Sequence, residues 1–413
     1  MTALSTYGLS PDHRRLDNLA RTLSHERFAP RAAQYDQTAT LPADNLQDLR
    51  EAGLLGLVIG KDLGGLGSGI GGEDPLAYLL VLERLAEKDL STSHCLQVHC
   101  HAAHFIDRLG TASQRHTILG DVIENGALTT TLSSEPGRTA RGTRNASRAE
   151  LLDDGWRING LKNYSTLASA STWLLTLVDA HIAPHPAVAE GDRVAFAIRR
   201  DAVGVSFDSA PWDPFGMRGA LSPTVRFDDT RVSWERLIGQ PNAHLSGGWS
   251  VRADLGFAAQ YVGASQGLFD EVVAAVNRRS THSNPHAQSH VGALHIAIAG
   301  ARALYRNAAS LWTHDPEAAA LASVGAKYQS IATANLILDL AAKIVGPTAF
   351  SRGGALERQY RDLRYLTMRE HPDAALVTVG QTLLTNARSQ KVHVEADAQH
   401  DAEEKWQEAA HHA

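Results

Sequence analysis

The chain has 413 residues, of which 43% are hydrophobic and 20% charged, and its formal net charge is −6. This composition is typical of a globular protein with more than one core, and the acidic balance provides no concentrated basic face for a nucleic-acid partner. We identify no membrane-spanning stretch and no signal peptide, and two cysteines are too few for a disulfide framework, so we expect a cytoplasmic protein.

The first third of the chain is predicted to be helical. Leucines recur at helical spacing over residues 45–57, and a second amphipathic helix follows Asp74-Pro75, where proline suits the first turn. The glycine-rich segment 60–72 between them matches neither the P-loop nor the dinucleotide-binding pattern, so we interpret it as a flexible connection. These features predict an N-terminal helical domain over residues 1–126.

The pattern changes near Ala127 to short β-prone runs separated by turn residues. The runs are 129–132, 155–160, 173–178, 194–198, 203–207 and 224–227. They predict a middle antiparallel, β-barrel-like domain over residues 127–240.

Helical periodicity then returns in long alanine-rich stretches. They predict a C-terminal four-helix bundle over residues 241–390, and the polar residues 391–413 predict a peripheral tail. The predicted fold is therefore an α+β multidomain fold.

Histidines are concentrated between residues 94 and 104, close to Cys100. His101 and His104 could share one helical face, which is one requirement of a metal site. However, no carboxylate except Asp107 lies at ligand spacing, and no HExxH pattern occurs. We therefore predict no metal site.

The most informative segment is LERQYRDLR at residues 356–364, followed by Glu370. It resembles the C-terminal region of the acyl-CoA dehydrogenase family, where ERxYRD leads to the catalytic glutamate. The resemblance implies that Glu370 is the base that removes a proton next to a thioester. The family usually continues with Glu-Gly-Thr, whereas His371 and Pro372 follow here. Pro372 predicts a helix end near Glu370, where burial and the helix C-terminus would raise the pKa of the carboxyl group.

Further motifs are similar to those of the same family. SSEPG at 133–137, GLKNYST at 160–166 and an arginine at 279 resemble segments that contact the flavin, and FGMRG at 215–219 resembles one that helps shape the β domain. VGPTAF at 345–350 stands where the family has a glycine-rich cofactor loop, often G-G-x-G-Y, and departs from that pattern. The resemblance implies FAD as cofactor, with FMN possible for a monooxygenase, and an arginine that reaches the pyrophosphate across a dimer interface. An aromatic face, hydroxyl groups and a planar guanidinium suit such a cofactor. The candidate cofactor-binding residues are Leu132, Ser134, Tyr164, Thr166, Arg279 and Gly346.

Three functions are compatible with this sequence. The leading hypothesis is α,β-dehydrogenation of an acyl-CoA thioester, with an electron-transferring flavoprotein as partner. The second is a two-component flavin-dependent monooxygenase supplied by a flavin reductase, for which His99 or His371 would be the histidine near the flavin. The third is a non-catalytic scaffold of the same fold. For each, the resemblance implies a homodimer or homotetramer.

Overall fold

The computed structural model describes residues 8–137, 144–182 and 187–386. The chain divides into two units, residues 1–370 and 371–413. In the second unit, residues 372–386 are helical. The predicted polar tail, 391–413, lies outside the described residues.

The N-terminal part is helical, as predicted. Its main helices are α1 (Pro11–Thr22), α2 (Ala29–Thr38), α3 (Ala43–Glu51), α4 (Pro75–Ala86), α5 (Leu90–Leu109) and α6 (Gly120–Asn125). Asp89 caps α5 by accepting a hydrogen bond from the Thr92 amide, and Pro75 occupies the first turn of α4. Almost every residue of α4 and α5 is buried, so these two helices form the centre of this part.

The middle part forms one sheet with a core of its own. Its strands are β1 (Thr129–Leu132), β2 (Arg148–Leu152), β3 (Gly155–Lys162), β4 (Trp173–His181), β5 (Arg193–Arg199), β6 (Val205–Asp208) and β7 (Thr224–Val232). The order is β1-β4-β2-β3-β7-β6, with β5 paired to β4. Trp156 and Phe196 are fully buried and pack edge to face at 5.4 Å between ring centroids in this core.

The sheet is mixed, whereas the sequence predicted an antiparallel one. Of the strand pairings among the described residues, β2–β3, β3–β7, β4–β5 and β6–β7 are antiparallel, while β1–β4 and β2–β4 are parallel. The parallel pairs join strands that are distant in sequence, so local patterning carries no information about them. Strand β2 was also missed, because charged residues interrupt its apolar alternation.

The C-terminal part contains the three predicted long alanine-rich helices and the shorter helix that precedes Glu370. They are α7 (Trp249–Arg278), α8 (Pro285–Leu311), α9 (Pro316–Val345) and α10 (Ala355–Met368). Glycine lets α7 approach α4 closely: a Cβ atom at Gly267 would lie 1.8 Å from the Glu87 carbonyl oxygen, and one at Gly263 would lie 2.0 Å from that of Glu83. The two helical parts consequently share one continuous core. Within the described chain, no helix combines the length and apolarity needed to cross a bilayer.

Candidate active site

Glu370 lies directly after α10, where the sequence predicted the helix to end. The helix ends at Met368, and the Glu370 amide donates to the Thr367 carbonyl at 3.2 Å. The Glu370 side chain is only 6% exposed, so its carboxylate needs compensating partners.

Both carboxylate oxygens of Glu370 are engaged. Lys327 Nζ lies 2.7 Å from Oε2, and the Tyr261 hydroxyl lies 3.2 Å from Oε1. The same tyrosine hydroxyl lies 2.9 Å from the Leu366 carbonyl oxygen, and burial together with Glu370 raises the pKa of Tyr261 well above its ordinary value. The shorter, charge-assisted contact with Lys327 is therefore the stronger one.

Lys327 joins two carboxylates from different helices. Its Nζ atom donates to Asp254 Oδ1 at 2.9 Å as well as to Glu370, and both Lys327 and Asp254 are buried. Sequence analysis expected desolvation and the helix end to act on Glu370, but it did not foresee this buried ammonium. An ammonium at this distance stabilises the carboxylate in its anionic form, against the effect of burial.

Phe257 lies at the centre of the surrounding side chains. Lys327 Nζ lies 5.3 Å and Arg369 Cζ 4.4 Å from its ring centroid, and the His94 ring is centred 5.8 Å away. Arg369 Nε is also 3.6 Å from Glu370 Oε1. Burial lowers the pKa of His94 to about 3, and the charge of Arg369 contributes, so this imidazole is neutral.

The predicted flavin-binding segment of the β domain is held in an unusual backbone conformation. Tyr164 and Leu167 have φ values of 48° and 69°, in the left-handed region that bulky residues rarely adopt. Tyr164 is 64% exposed. Strained backbone positions of this kind are common at ligand sites.

Hydrogen bonds join this segment to the ends of neighbouring strands. The Asn163 amide donates to the Ser134 carbonyl at 3.0 Å, Thr130 Oγ1 donates to the Thr166 carbonyl at 2.7 Å, and the Thr166 and Ser222 hydroxyls are 2.7 Å apart. The structure thus brings Ser134, Tyr164 and Thr166 together. The Leu132 side chain instead packs in the core of the sheet, which leaves its backbone as the group that a ligand could contact.

These residues fit a flavin ring. Tyr164 presents an exposed aromatic face, and Ser134 is exposed beside it. Two buried oxygens of the same strand ends, Thr131 Oγ1 and Asn163 Oδ1, have no hydrogen-bond partner among the described residues. Buried polar atoms of this kind are normally satisfied, so a polar ligand at this place would complete them.

Tyr365 connects this segment to the surroundings of Glu370. Its ring contacts Phe215 at 5.6 Å between centroids, and its pKa is raised by burial and by the nearby Tyr164, while Arg369 opposes the rise. Tyr164 and Arg369 thus act on the ionisation of the same tyrosine on α10.

Arg279 and Gly346 lie together, but away from this site. Arg279 follows the end of α7, where it donates to the Val345 carbonyl and, at 2.6 Å, to Thr348 Oγ1. Eighteen residues separate it from Tyr261, which is roughly 27 Å along a helix axis. Within one chain, Arg279 is thus not part of the Glu370 site.

His99 has a structural role. Its Nε2 atom lies 3.0 Å from the Leu55 carbonyl and its Nδ1 atom accepts from the Thr129 amide at 3.0 Å, while burial lowers the pKa of the ring to about 4. Both ring nitrogens are therefore used by the fold. His371 belongs to the second unit of the chain. Among the residues that the structure describes, no three metal-ligating side chains are grouped closely enough to hold an ion.

The most important residues that sequence analysis missed are Lys327 and Asp254. Lys327 is an isolated charge in an otherwise apolar helical stretch, and Asp254 begins a largely apolar run that continues to Ala264. A charge in such a stretch must find a buried partner or reach solvent. That signal was present in the sequence, although it could not identify the partner.

Comparisons with known proteins agree with this architecture. Residues 10–125 match the acyl-CoA dehydrogenase N-terminal domain, residues 130–230 the middle domain and residues 254–373 the C-terminal domain. The putative acyl-CoA dehydrogenase YdbM of Bacillus subtilis is 27% identical over 357 residues, which cover 82% of this chain and 88% of YdbM.

Two solved structures share the fold at lower identity. Butyryl-CoA dehydrogenase from Megasphaera elsdenii superposes with a TM-score of 0.82 at 21% identity, covering 92% of this chain and 99% of that one. FMN-bound TdsC from Paenibacillus sp. A11-2, a dibenzothiophene monooxygenase, superposes with a TM-score of 0.80 at 23% identity, covering 90% and 98%.

Proposed function

We propose that this chain, which belongs to the acyl-CoA dehydrogenase family, is a flavin-dependent enzyme that dehydrogenates the α,β-bond of an acyl-CoA thioester. Glu370 would be the base that accepts the α-proton. FAD is the proposed cofactor, and an electron-transferring flavoprotein is the proposed electron acceptor.

The observation that carries this proposal is the position of Glu370. Its carboxyl group is buried directly after the end of α10, and Lys327 Nζ lies 2.7 Å from Oε2 and fixes its orientation. A positioned base of this kind contributes to catalysis if it can reach the proton in the bound substrate. Tyr164 and Arg369 both influence the pKa of Tyr365 on α10, which supports a flavin segment near the end of this helix.

In the proposed reaction, the residues of the site bind the flavin, remove the α-proton and exclude water. Ser134, Tyr164 and Thr166 would hold the flavin ring, which supplies the acceptor for the hydride leaving the β-carbon. Glu370 would take the proton from the α-carbon, and the electron pair of that C–H bond would form the double bond. The buried surroundings of Phe257 would exclude water from the carboxylate.

Replacing Glu370 by glutamine tests this assignment. The amide keeps the shape of the side chain but cannot accept the proton, so we expect reduction of bound flavin by substrate to slow by roughly 10²- to 10⁴-fold. The measurement is the visible spectrum of the FAD-loaded protein, recorded anaerobically while acyl-CoA esters are added. Flavin binding should remain unchanged.

The matched control is Glu357→Gln, which removes a carboxylate from the same helix. Glu357 pairs with Arg361 at 2.5 Å, away from Lys327, so its replacement should leave flavin reduction intact. Unchanged reduction in Glu370→Gln would exclude Glu370 as the base.

The compensated charge of Glu370 also favours a second candidate, a flavin-dependent monooxygenase. A carboxylate that is already paired with an ammonium is a weaker base, and the fold is shared with TdsC. If no ester reduces the flavin, the protein should instead oxygenate an aromatic or heteroatom substrate when given reduced flavin and oxygen. Glu370→Gln should then retain activity. A protein that binds no flavin would support the non-catalytic scaffold.

A further inference from the structure

We propose that Lys327 is a positioning residue that controls both the orientation and the ionisation of Glu370 by sharing its ammonium group with Asp254. This inference rests on the proposed function, because it identifies the residue through which the proposed base is tuned. Nothing in the family resemblance assigned a role to either Lys327 or Asp254.

The geometry places Lys327 between the two carboxylates. The three side chains come from α7, α9 and the end of α10, and they are 9%, 8% and 6% exposed for Asp254, Lys327 and Glu370. The Nζ distances of 2.9 Å and 2.7 Å are those of charge-assisted hydrogen bonds. Each contact ties a different helix to α9, so the ammonium determines where the Glu370 carboxylate points.

The other contacts of Glu370 are weaker in comparison. The Tyr261 hydroxyl carries a single proton and lies closer to the Leu366 carbonyl, at 2.9 Å, than to Glu370 Oε1, at 3.2 Å. Arg369 Nε is 3.6 Å away and its side chain is 43% exposed, so solvent screens its charge. Of these three contacts, the one with Lys327 is the strongest.

Lys327 is the ammonium group that lies between the carboxylates of Asp254 and Glu370, and its charge controls whether both can stay ionised. Without its ammonium, two buried carboxylates would remain near each other, and such groups cannot both stay ionised at neutral pH. One of them would take up a proton, and a protonated Glu370 cannot act as a base. The titratable and charged groups facing the pair are Asp254, Tyr261, Arg369 and His94.

Acetyl-CoA is a suitable probe, since it has an α-carbon but no β-carbon and can exchange α-protons without being oxidised. In the FAD-loaded full chain, we expect Lys327→Met to move the pH profile of exchange with D2O upward by roughly 1 to 3 pH units. Asp254→Asn should move it downward, because Lys327 then serves Glu370 alone. Lys327→Arg should restore most of the wild-type profile.

Lys343→Met is the control, since Lys343 lies on the same helix and pairs with Asp339 at the surface. Its profile should equal that of the wild type. If Lys327→Met lowers the exchange rate equally at every pH, Lys327 has only a structural role and the proposal is overturned.

Infrared spectroscopy provides a test that needs no turnover. At neutral pH, the spectrum of Lys327→Met should contain one carbonyl band of a protonated carboxylic acid in addition to any in the wild type, and Lys327→Met/Glu370→Gln should lose this added band. A band that is absent from Lys327→Met, or that disappears with Asp254→Asn instead, would overturn the assignment.

If Lys327→Met does not fold, the downward shift in Asp254→Asn decides the question. If the wild type exchanges no acetyl-CoA protons, the proposed function fails, while the infrared result still judges the inference.

Discussion

Asp362 shows how one buried carboxylate can couple local structure to pH. Its side chain lies on α10, accepts a hydrogen bond from the Met217 amide at 2.6 Å and is 3.6 Å from Arg358. Burial raises its pKa to about 6, although Arg358 and the Met217 amide oppose the rise. Its ordinary value is 3.8. The charged form is thus less favourable in the folded protein than in the unfolded chain.

This shift predicts the sign of a pH effect on stability. A raised pKa contributes stability that is fully present below the unfolded value and is lost as pH rises through about 6. Asp362→Asn removes this loss, so its free energy of unfolding relative to the wild type should rise by about 1 kcal/mol between pH 5 and pH 8. Urea unfolding at both pH values measures the difference. Asp339→Asn, which changes an exposed carboxylate, should show no such change in the free energy of unfolding between the two pH values. If the difference between Asp362→Asn and the wild type is the same at both pH values, the assignment is contradicted.

At the scale of the elements, α7 contributes to two separate regions. Its first half carries Asp254, Phe257 and Tyr261 toward Glu370, while Arg279 follows its opposite end. Arg279 there holds the turn after α9, in which Gly346 has a φ value of 66°. Because Arg279 lies roughly 27 Å along α7 from Tyr261, we propose that it serves the cofactor of a partner subunit.

Arg279→Ala should therefore weaken the binding of FAD but not that of FMN, because FMN has no pyrophosphate. The loss of charge-assisted hydrogen bonds corresponds to roughly 10- to 100-fold in affinity. Fluorescence titration of the apoprotein with each flavin measures the effect. Arg278→Ala, which removes the preceding exposed arginine, should change neither affinity. If Arg279→Ala and the wild type bind FAD with equal affinity, Arg279 is not a cofactor-binding residue.

At the scale of the molecule, a buried ionic network joins the N-terminal helices to the C-terminal bundle. Glu83 on α4 is fully buried and accepts hydrogen bonds from Arg302 Nε at 2.7 Å and from the Tyr305 hydroxyl, both on α8. Arg84 donates to Asp17 on α1 at 2.6 Å and to Glu87 at 2.5 Å. Burial by itself would raise the pKa of Glu83, but Arg302 and Arg84 bring it well below its ordinary value.

Glu83→Gln should be strongly destabilising, by about 3 to 5 kcal/mol, because it leaves buried guanidinium groups without their anion. Since the pKa of Glu83 is lowered, its contribution is present above the unfolded value and is lost as pH falls, so the difference should narrow in acid. Urea unfolding at neutral and acidic pH tests both statements. Glu73→Gln, which breaks an exposed pair with Lys61, should have no measurable effect. A similarly small effect at Glu83 would mean that the network does not stabilise the fold.

The sequence by itself determined what depends on neighbouring residues. Helical periodicity and alternating β-prone runs predicted the helix–sheet–helix order, and Pro372 predicted the end of α10 next to Glu370. The segments around Ser134 and Tyr164 were also identifiable, because their short motifs resemble those of a known family. Dihedral preferences and hydrophobic periods are properties of short stretches of chain, and the sequence shows them directly.

Only the tertiary structure decided which residues meet. Asp254, Lys327 and Glu370 are distant in sequence, and they come together because three helices cross at one point. The parallel pairing of β1 with β4, and the separation of Arg279 from Tyr261, likewise depend on how whole elements pack. A charged residue in an apolar stretch of sequence indicates that a buried partner is needed. Which residue becomes that partner depends on how the helices pack in three dimensions.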